Sequence, residues 1–102
     1  MDVHFELNGV AFVWDADKAQ ANLVRHPGVS FEQAAEVFFD PFFRLVDASR
    51  NDEARDAVIG YDVQGRLLFV VHVVFEHAVA SEIIRIISAR KATPEERKTH
   101  DS

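Results

Sequence analysis

Apolar and polar positions along the chain fall into runs with two distinct periods. Leu67 to Phe75 and Ile83 to Ala89 are almost unbroken apolar stretches, interrupted mainly by His72 and Arg85. Both are rich in β-branched residues and too short for convincing helices, so they predict strands. The segment Glu76 to Ser81 between them can return the chain as an antiparallel neighbour. So few polar residues break the first run that it predicts a central strand buried on both faces, with something packed on each side.

Toward the N-terminus the period is two. Val3 to Leu7 and Val10 to Trp14 alternate about Asn8-Gly9, the strongest short signal for a two-residue hairpin turn. The period then lengthens to that of a helix. Asp15 is a fitting N-cap for a helix from Ala16 to about His26, with Ala19, Leu23 and His26 turned inward and Lys18, Asn22 and Arg25 outward. Pro27-Gly28 stops it. Ser30 with Gln33 three residues on has capping-box spacing and opens a second helix, whose apolar stripe is Phe31, Ala34, Ala35 and Phe38 and which ends at Asp40-Pro41. Phe42 to Asp47 and Arg55 to Tyr61 read as strands, and the polar, acidic stretch Ala48 to Ala54 reads as the loop between them. Thr93, Pro94 and Glu96 agree on the start of a short final helix.

Two strands, two helices, four strands and a helix imply an α+β fold. The expected architecture is a mostly antiparallel four- to five-stranded sheet, with the two N-terminal helices on one face and a short C-terminal helix. A length of 102 residues gives one domain spanning residues 1–102.

Composition narrows the function. The chain has no cysteine, which removes disulfides and thiolate metal sites and fits a reducing, cytoplasmic setting. No signal peptide is expected after Met1-Asp2, and no apolar run reaches the length of a membrane span. A net charge of −6 argues against non-specific coating of nucleic acid, which relies on many lysine and arginine contacts to phosphate. The charge is segregated, however. Arg85 to Lys98 holds five basic and two acidic residues, a local +3 that is either a solvated helix end or a binding patch.

His72 and His77 do not match a zinc spacing, and neither a phosphate-cradling glycine loop nor a nucleophile elbow occurs. The arginines are more informative. Arg85 interrupts an isoleucine-rich strand, Arg55 begins a strand on the face of Ile59 and Tyr61, and Arg90 and Lys91 follow the last strand. A guanidinium among apolar neighbours must find a carboxylate or reach solvent along its stem. Two readings therefore stand for Arg55 and Arg85: an ion pair within the sheet, or a phosphate clamp. Arg25-His26 closes the first helix. A helix C-terminus favours an imidazolium, and imidazole suits acid or base work near neutrality; the plainer reading has His26 packing against Pro27.

The ordered series Phe12-Val13-Trp14-Asp15, Lys18-Ala19, Asn22-Leu23, Arg25-His26 and Gly28-Val29-Ser30-Phe31-Glu32 resembles the opening of the BrnT family of toxins from type II toxin–antitoxin modules. Asp40-Pro41, Arg55, Ile59-Gly60, Gly65-Arg66-Leu67-Leu68, Arg85 to Thr93 and Glu96-Arg97 are similar to its later motifs, so the resemblance covers roughly Phe12 to Arg97. It implies a RelE-like fold and metal-independent RNA cleavage without a cofactor. It also implies a ribbon-helix-helix (BrnA-like) antitoxin partner, through which alone the complex would reach operator DNA. The family's basic and polar positions fall on Trp14, Arg25, His26, Arg55, Arg85, Arg90 and Lys91. His26, Arg55, Arg85 and Arg90 would be catalytic, and Arg25 and Lys91 would hold the flanking backbone. Trp14 would stack a base or anchor the first helix. The chain departs from the family in five respects: Pro27 stands between His26 and Gly28, Arg25 occupies a position that is commonly Lys in relatives, Met1 to Gly9 extends the start, residues 76 to 81 lengthen a hairpin loop, and the chain is acidic overall. Two further readings compete with the nuclease: a catalytically inert interaction protein that binds its antitoxin in an autorepressing complex, and a small α+β domain of unrelated role.

Overall fold

Asn8 and Gly9, at φ 51° and 80°, form the turn that joins β1 (Asp2–Leu7) to β2 (Val10–Asp15), with Leu7 opposite Val10. A computed structural model describes residues 1–76 and 82–102 of the chain, so the expected loop over residues 76–81 and His77 lie largely outside the described residues. Asp15 caps α1 (Ala16–Arg25) by accepting from the Lys18 amide at 3.0 Å, and Ser30 and Gln33 complete the capping box of α2 (Phe31–Glu36). A 3₁₀ turn, Val37–Phe39, follows. The remaining strands are β3 (Arg44–Asp47), β4 (Asp56–Tyr61), β5 (Leu67–Glu76) and β6 (Glu82–Lys91). Thr93 and Glu96 form the capping box of α3 (Pro94–Asp101), with Pro94 in the first turn.

The α+β class holds, and the arrangement is consistent with a RelE-like fold. Among the described residues the sheet has six strands rather than four or five, in the order β1-β2-β6-β5-β4-β3. Both outer strands stay paired. Val3, Phe5 and Leu7 anchor β1 by packing against the core, while β3 is paired along its four residues to β4. Every pairing is antiparallel except β2 with β6, over Ala11–Val13 against Ile83–Arg85. β6 and β5 hold the centre, as the two apolar runs predict.

One face of the sheet carries Phe12, Trp14, Val58, Leu68, Val70 and Ile86, covered by Phe31, Ala34, Ala35 and Val37 of α2 and the 3₁₀ turn. Gly60 lets that turn approach, since a Cβ there would stand 2.8 Å from the Val37 carbonyl oxygen. α3 lies against β4 from the other side, where His100 meets Tyr61 edge-on at 5.1 Å and its Nε2 pairs with Asp40 at 2.9 Å.

Two burial expectations are corrected. α1 buries Asn22 and leaves Leu23 exposed, because β2 pairs with β6 only as far as Arg85 and the edge beyond is met by a side-chain amide rather than by a strand. β5 buries Leu68, Val70 and His72 on one face, while Phe69, Val71 and Val73 on the other are half-buried.

Candidate functional site

The half-covered face of β5 is the floor of a concavity of about 450 Å³. Antiparallel pairing sets Phe69 beside Arg90 and Val71 beside Ser88. The register then slips: Val71 faces Ser88, but His72 faces Ile86, leaving Ile87 as an extra residue in β6. Strict alternation would send Arg85 and Arg90 to opposite faces. The bulge brings both to the face of Phe69 and Val73, and turns Ala89 to the core.

The walls come from two separate elements. Arg25 and His26, at the end of α1, form one; Asp47 at the end of β3 and Ala48, Ser49, Arg50 and Arg55 of its connection to β4 form the other. Asn22 fixes the first wall to the sheet, donating to the carbonyls of Ala89 (2.9 Å) and Val29 (3.2 Å) and accepting from the Ala89 amide (3.1 Å). The backbone amide of His26 caps α1 on the Asn22 carbonyl at 2.8 Å. Beyond Pro27, Gly28 takes a left-handed φ of 83°, and its carbonyl accepts from Arg66 at 2.7 Å, which pins the turn.

Four guanidinium groups and one carboxylate line the concavity. Arg90 lies over the Phe69 ring, 4.3 Å from its centroid, and makes a double hydrogen bond to Glu96 at 2.7 and 2.9 Å. Those bonds hold the Glu96 carboxyl below its ordinary pKa and raise that of Arg90. Arg55 pairs with Glu53 at 2.6 Å. The Asp47 carboxylate accepts from the hydroxyl and amide of Ser49, which lower its pKa and keep it charged.

The seven residues singled out by sequence fall in three places. Arg25, His26, Arg55 and Arg90 meet at this concavity. Lys91 lines an adjoining depression of about 280 Å³, which shares Arg25, His26 and Arg90 with the first. Two stand apart. Arg85 is five residues along β6 from Arg90, roughly 15 Å at a strand's rise, and its guanidinium pairs with Asp2 of β1 at 2.6 Å. Trp14 is 2% exposed and packs against Phe5 and Phe31, so its indole anchors the core and offers no face to a base. Its place in a strand of strict alternation, with Phe12 inward, is the physical reason.

Sequence reasoning overlooked Asn22, Arg50 and Phe69. The pair Asn51-Asp52, two residue types that tolerate positive φ, carried the signal of a second two-residue turn next to Arg50. Phe69 was hidden in an apolar run whose second face looked like core.

The family model described as "Ribonuclease toxin, BrnT, of type II toxin-antitoxin system" matches residues 14–96 of the chain. No curated protein matches it.

Proposed function

Because the chain belongs to the BrnT family of type II toxin–antitoxin ribonuclease toxins, we propose that it is a metal-independent endoribonuclease acting at the concavity between α1 and the β3–β4 hairpin. The observation that carries this reading is the meeting of His26 with Arg25, Arg55 and Arg90 around one open, apolar-floored hollow. In the reaction the ribose 2′-oxygen attacks the adjacent phosphorus and the bond to the 5′-oxygen breaks, leaving a 2′,3′-cyclic phosphate and a free 5′-hydroxyl. His26 takes the proton from the 2′-hydroxyl or supplies one to the departing 5′-oxygen. Arg55 and Arg90 stabilise the charge that gathers on the phosphoryl oxygens, and Arg25 and Lys91 hold the flanking backbone. Arg85 has a structural part in this scheme, tying β6 to β1. The reaction takes place in the cytoplasm and inhibits translation until a ribbon-helix-helix antitoxin covers the site.

The test is cleavage of RNA by the purified chain with EDTA present, followed by end-group analysis. Cyclic phosphate ends are expected, with a rate falling about 10²–10⁴-fold in His26→Ala. Cleavage that EDTA abolishes would replace the scheme with a metal nuclease.

One observation favours a second reading, an inert antitoxin-binding protein. Arg55 and Arg90 already hold carboxylates, Glu53 and Glu96, so the patch accepts acidic groups as readily as phosphate, and the chain is acidic overall. RNA left intact under all metal conditions, with tight binding of the antitoxin, is the result that would select it.

A further inference from the structure

The β3–β4 hairpin ends in a tight two-residue turn. Arg50 and Glu53 exchange both backbone hydrogen bonds, at 3.1 and 2.7 Å, and Asn51 and Asp52 between them take φ of 48° and 65°. This is the type I′ turn that matches strand twist. Below the turn, the Ala48 amide donates to the Arg55 carbonyl at 2.9 Å and the Arg55 amide to the Ser49 hydroxyl at 3.2 Å. The tip is therefore braced, and its two flanking side chains have different roles. Glu53 pairs with Arg55. Arg50 lines the concavity and has no side-chain hydrogen bond or ion pair among the described residues.

Of the four guanidinium groups around the hollow, those of Arg55 and Arg90 are answered by Glu53 and Glu96. Asp47 adds one negative charge to the lining. Among the described residues, the guanidiniums with no carboxylate partner are those of Arg25, on the α1 wall, and Arg50, on the hairpin wall. Two unanswered guanidiniums on opposite elements suit a ligand with two separated negative charges, as successive phosphates of a strand present them. A braced hairpin also limits the ordering that binding such a ligand would require.

We propose that Arg50 is a phosphate-binding residue of this site, gripping a backbone phosphate next to the one that reacts, so that an RNA strand runs from α1 across Phe69 to the hairpin tip. The inference rests on the RNA-binding reading of the concavity and adds to it a residue on a different element. Arg50 is exposed and distant from the core, so its replacement does not threaten the fold.

The experiment measures binding of a short 2′-O-methylated RNA, which cannot undergo 2′-oxygen attack, to the full chain over a series of salt concentrations. Arg50→Gln is expected to bind more weakly at every salt concentration. The slope of log affinity against log salt should shrink by about 0.7, the share of one phosphate contact on a single strand. Lys98→Gln, which loses the same charge on α3 outside the concavity, is expected to keep the parent slope. A parent slope in Arg50→Gln, or an equal fall in both variants, overturns the assignment while leaving the concavity as an RNA site. Failure of the unaltered chain to bind overturns both.

Discussion

The side-chain amide of Asn22 meets the backbone of Ala89 as a neighbouring strand would, donating to its carbonyl at 2.9 Å and accepting from its amide at 3.1 Å. The orientation is forced, because exchanging the amide nitrogen and oxygen would set an oxygen against the carbonyls of Ala89 and Val29. One residue thereby closes the edge that β2 leaves open and fixes the helix end that carries Arg25 and His26.

Asn22→Leu keeps the bulk but leaves the Ala89 amide and carbonyl unpaired, at an expected cost of about 2–4 kcal/mol. Asn22→Asp should be destabilised at neutral pH, with a carboxylate facing two carbonyls, and should recover in acid as it gains a proton to donate. Urea unfolding midpoints measure both. A leucine variant as stable as the parent would mean that the edge is satisfied by other means.

Trp14 is the sole tryptophan, so its fluorescence tests where it sits. Buried against Phe5 and Phe31, it should emit as an apolar-environment indole and be indifferent to saturating RNA. Trp14→Ala should cost about 3–5 kcal/mol as a core truncation. Quenching by RNA would restore it to the binding surface.

Much of the fold was legible because local signals agreed. Asn8-Gly9, the Ser30–Gln33 and Thr93–Glu96 boxes and the two apolar runs each admit few conformations, and each element stands where they indicate. The site was legible in part. His26, Arg25, Arg55 and Arg90 come together, but the β6 bulge that sets the face of Arg90 leaves no mark in the order of residues. Arg85 shows the limit of reasoning from residue type: a charged residue in an apolar strand signals either a partner or a ligand, and here Asp2, distant in sequence, is the partner. Helical periodicity likewise assigned Leu23 to the core and Asn22 to solvent, since hydropathy does not register an open sheet edge that needs an amide.

Glu96 serves α3 and the site at once, accepting from the Thr93 amide at 2.9 Å while holding Arg90. Glu96→Gln separates these duties, because glutamine also completes a capping box. The loss of stability should be about 1 kcal/mol, the upper end for surface pairs, because this pair is two-pronged and only 36% and 18% exposed. With the carboxylate gone, Arg90 is free to meet phosphate, so RNA affinity should rise, by up to about fivefold. Fluorescence anisotropy with labelled RNA measures this. A fall in affinity instead would mean that Glu96 aims Arg90 rather than competes for it.

His72 makes stability depend on pH. The ring is 3% exposed on β5, edge-on to Phe38 at 4.9 Å. Burial lowers its pKa below the ordinary 6.5, outweighing the Val70 carbonyl and Asp56, which favour the charged form. In the window that opens at 6.5 and extends downward, the unfolded chain therefore binds a proton that the folded chain refuses. Stability is full above that window and falls as pH drops through it, until the folded ring is protonated too. The lowered carboxyls of Asp40, Asp47 and Glu96 add losses of the same sign, but only as pH falls below their ordinary values of 3.8 to 4.5. His72→Leu should therefore flatten the dependence of the melting temperature on pH just below 6.5, leaving the acid limb in place. An unchanged slope in the leucine variant would move the titration to another histidine and show that the imidazole of His72 is protonated inside the fold.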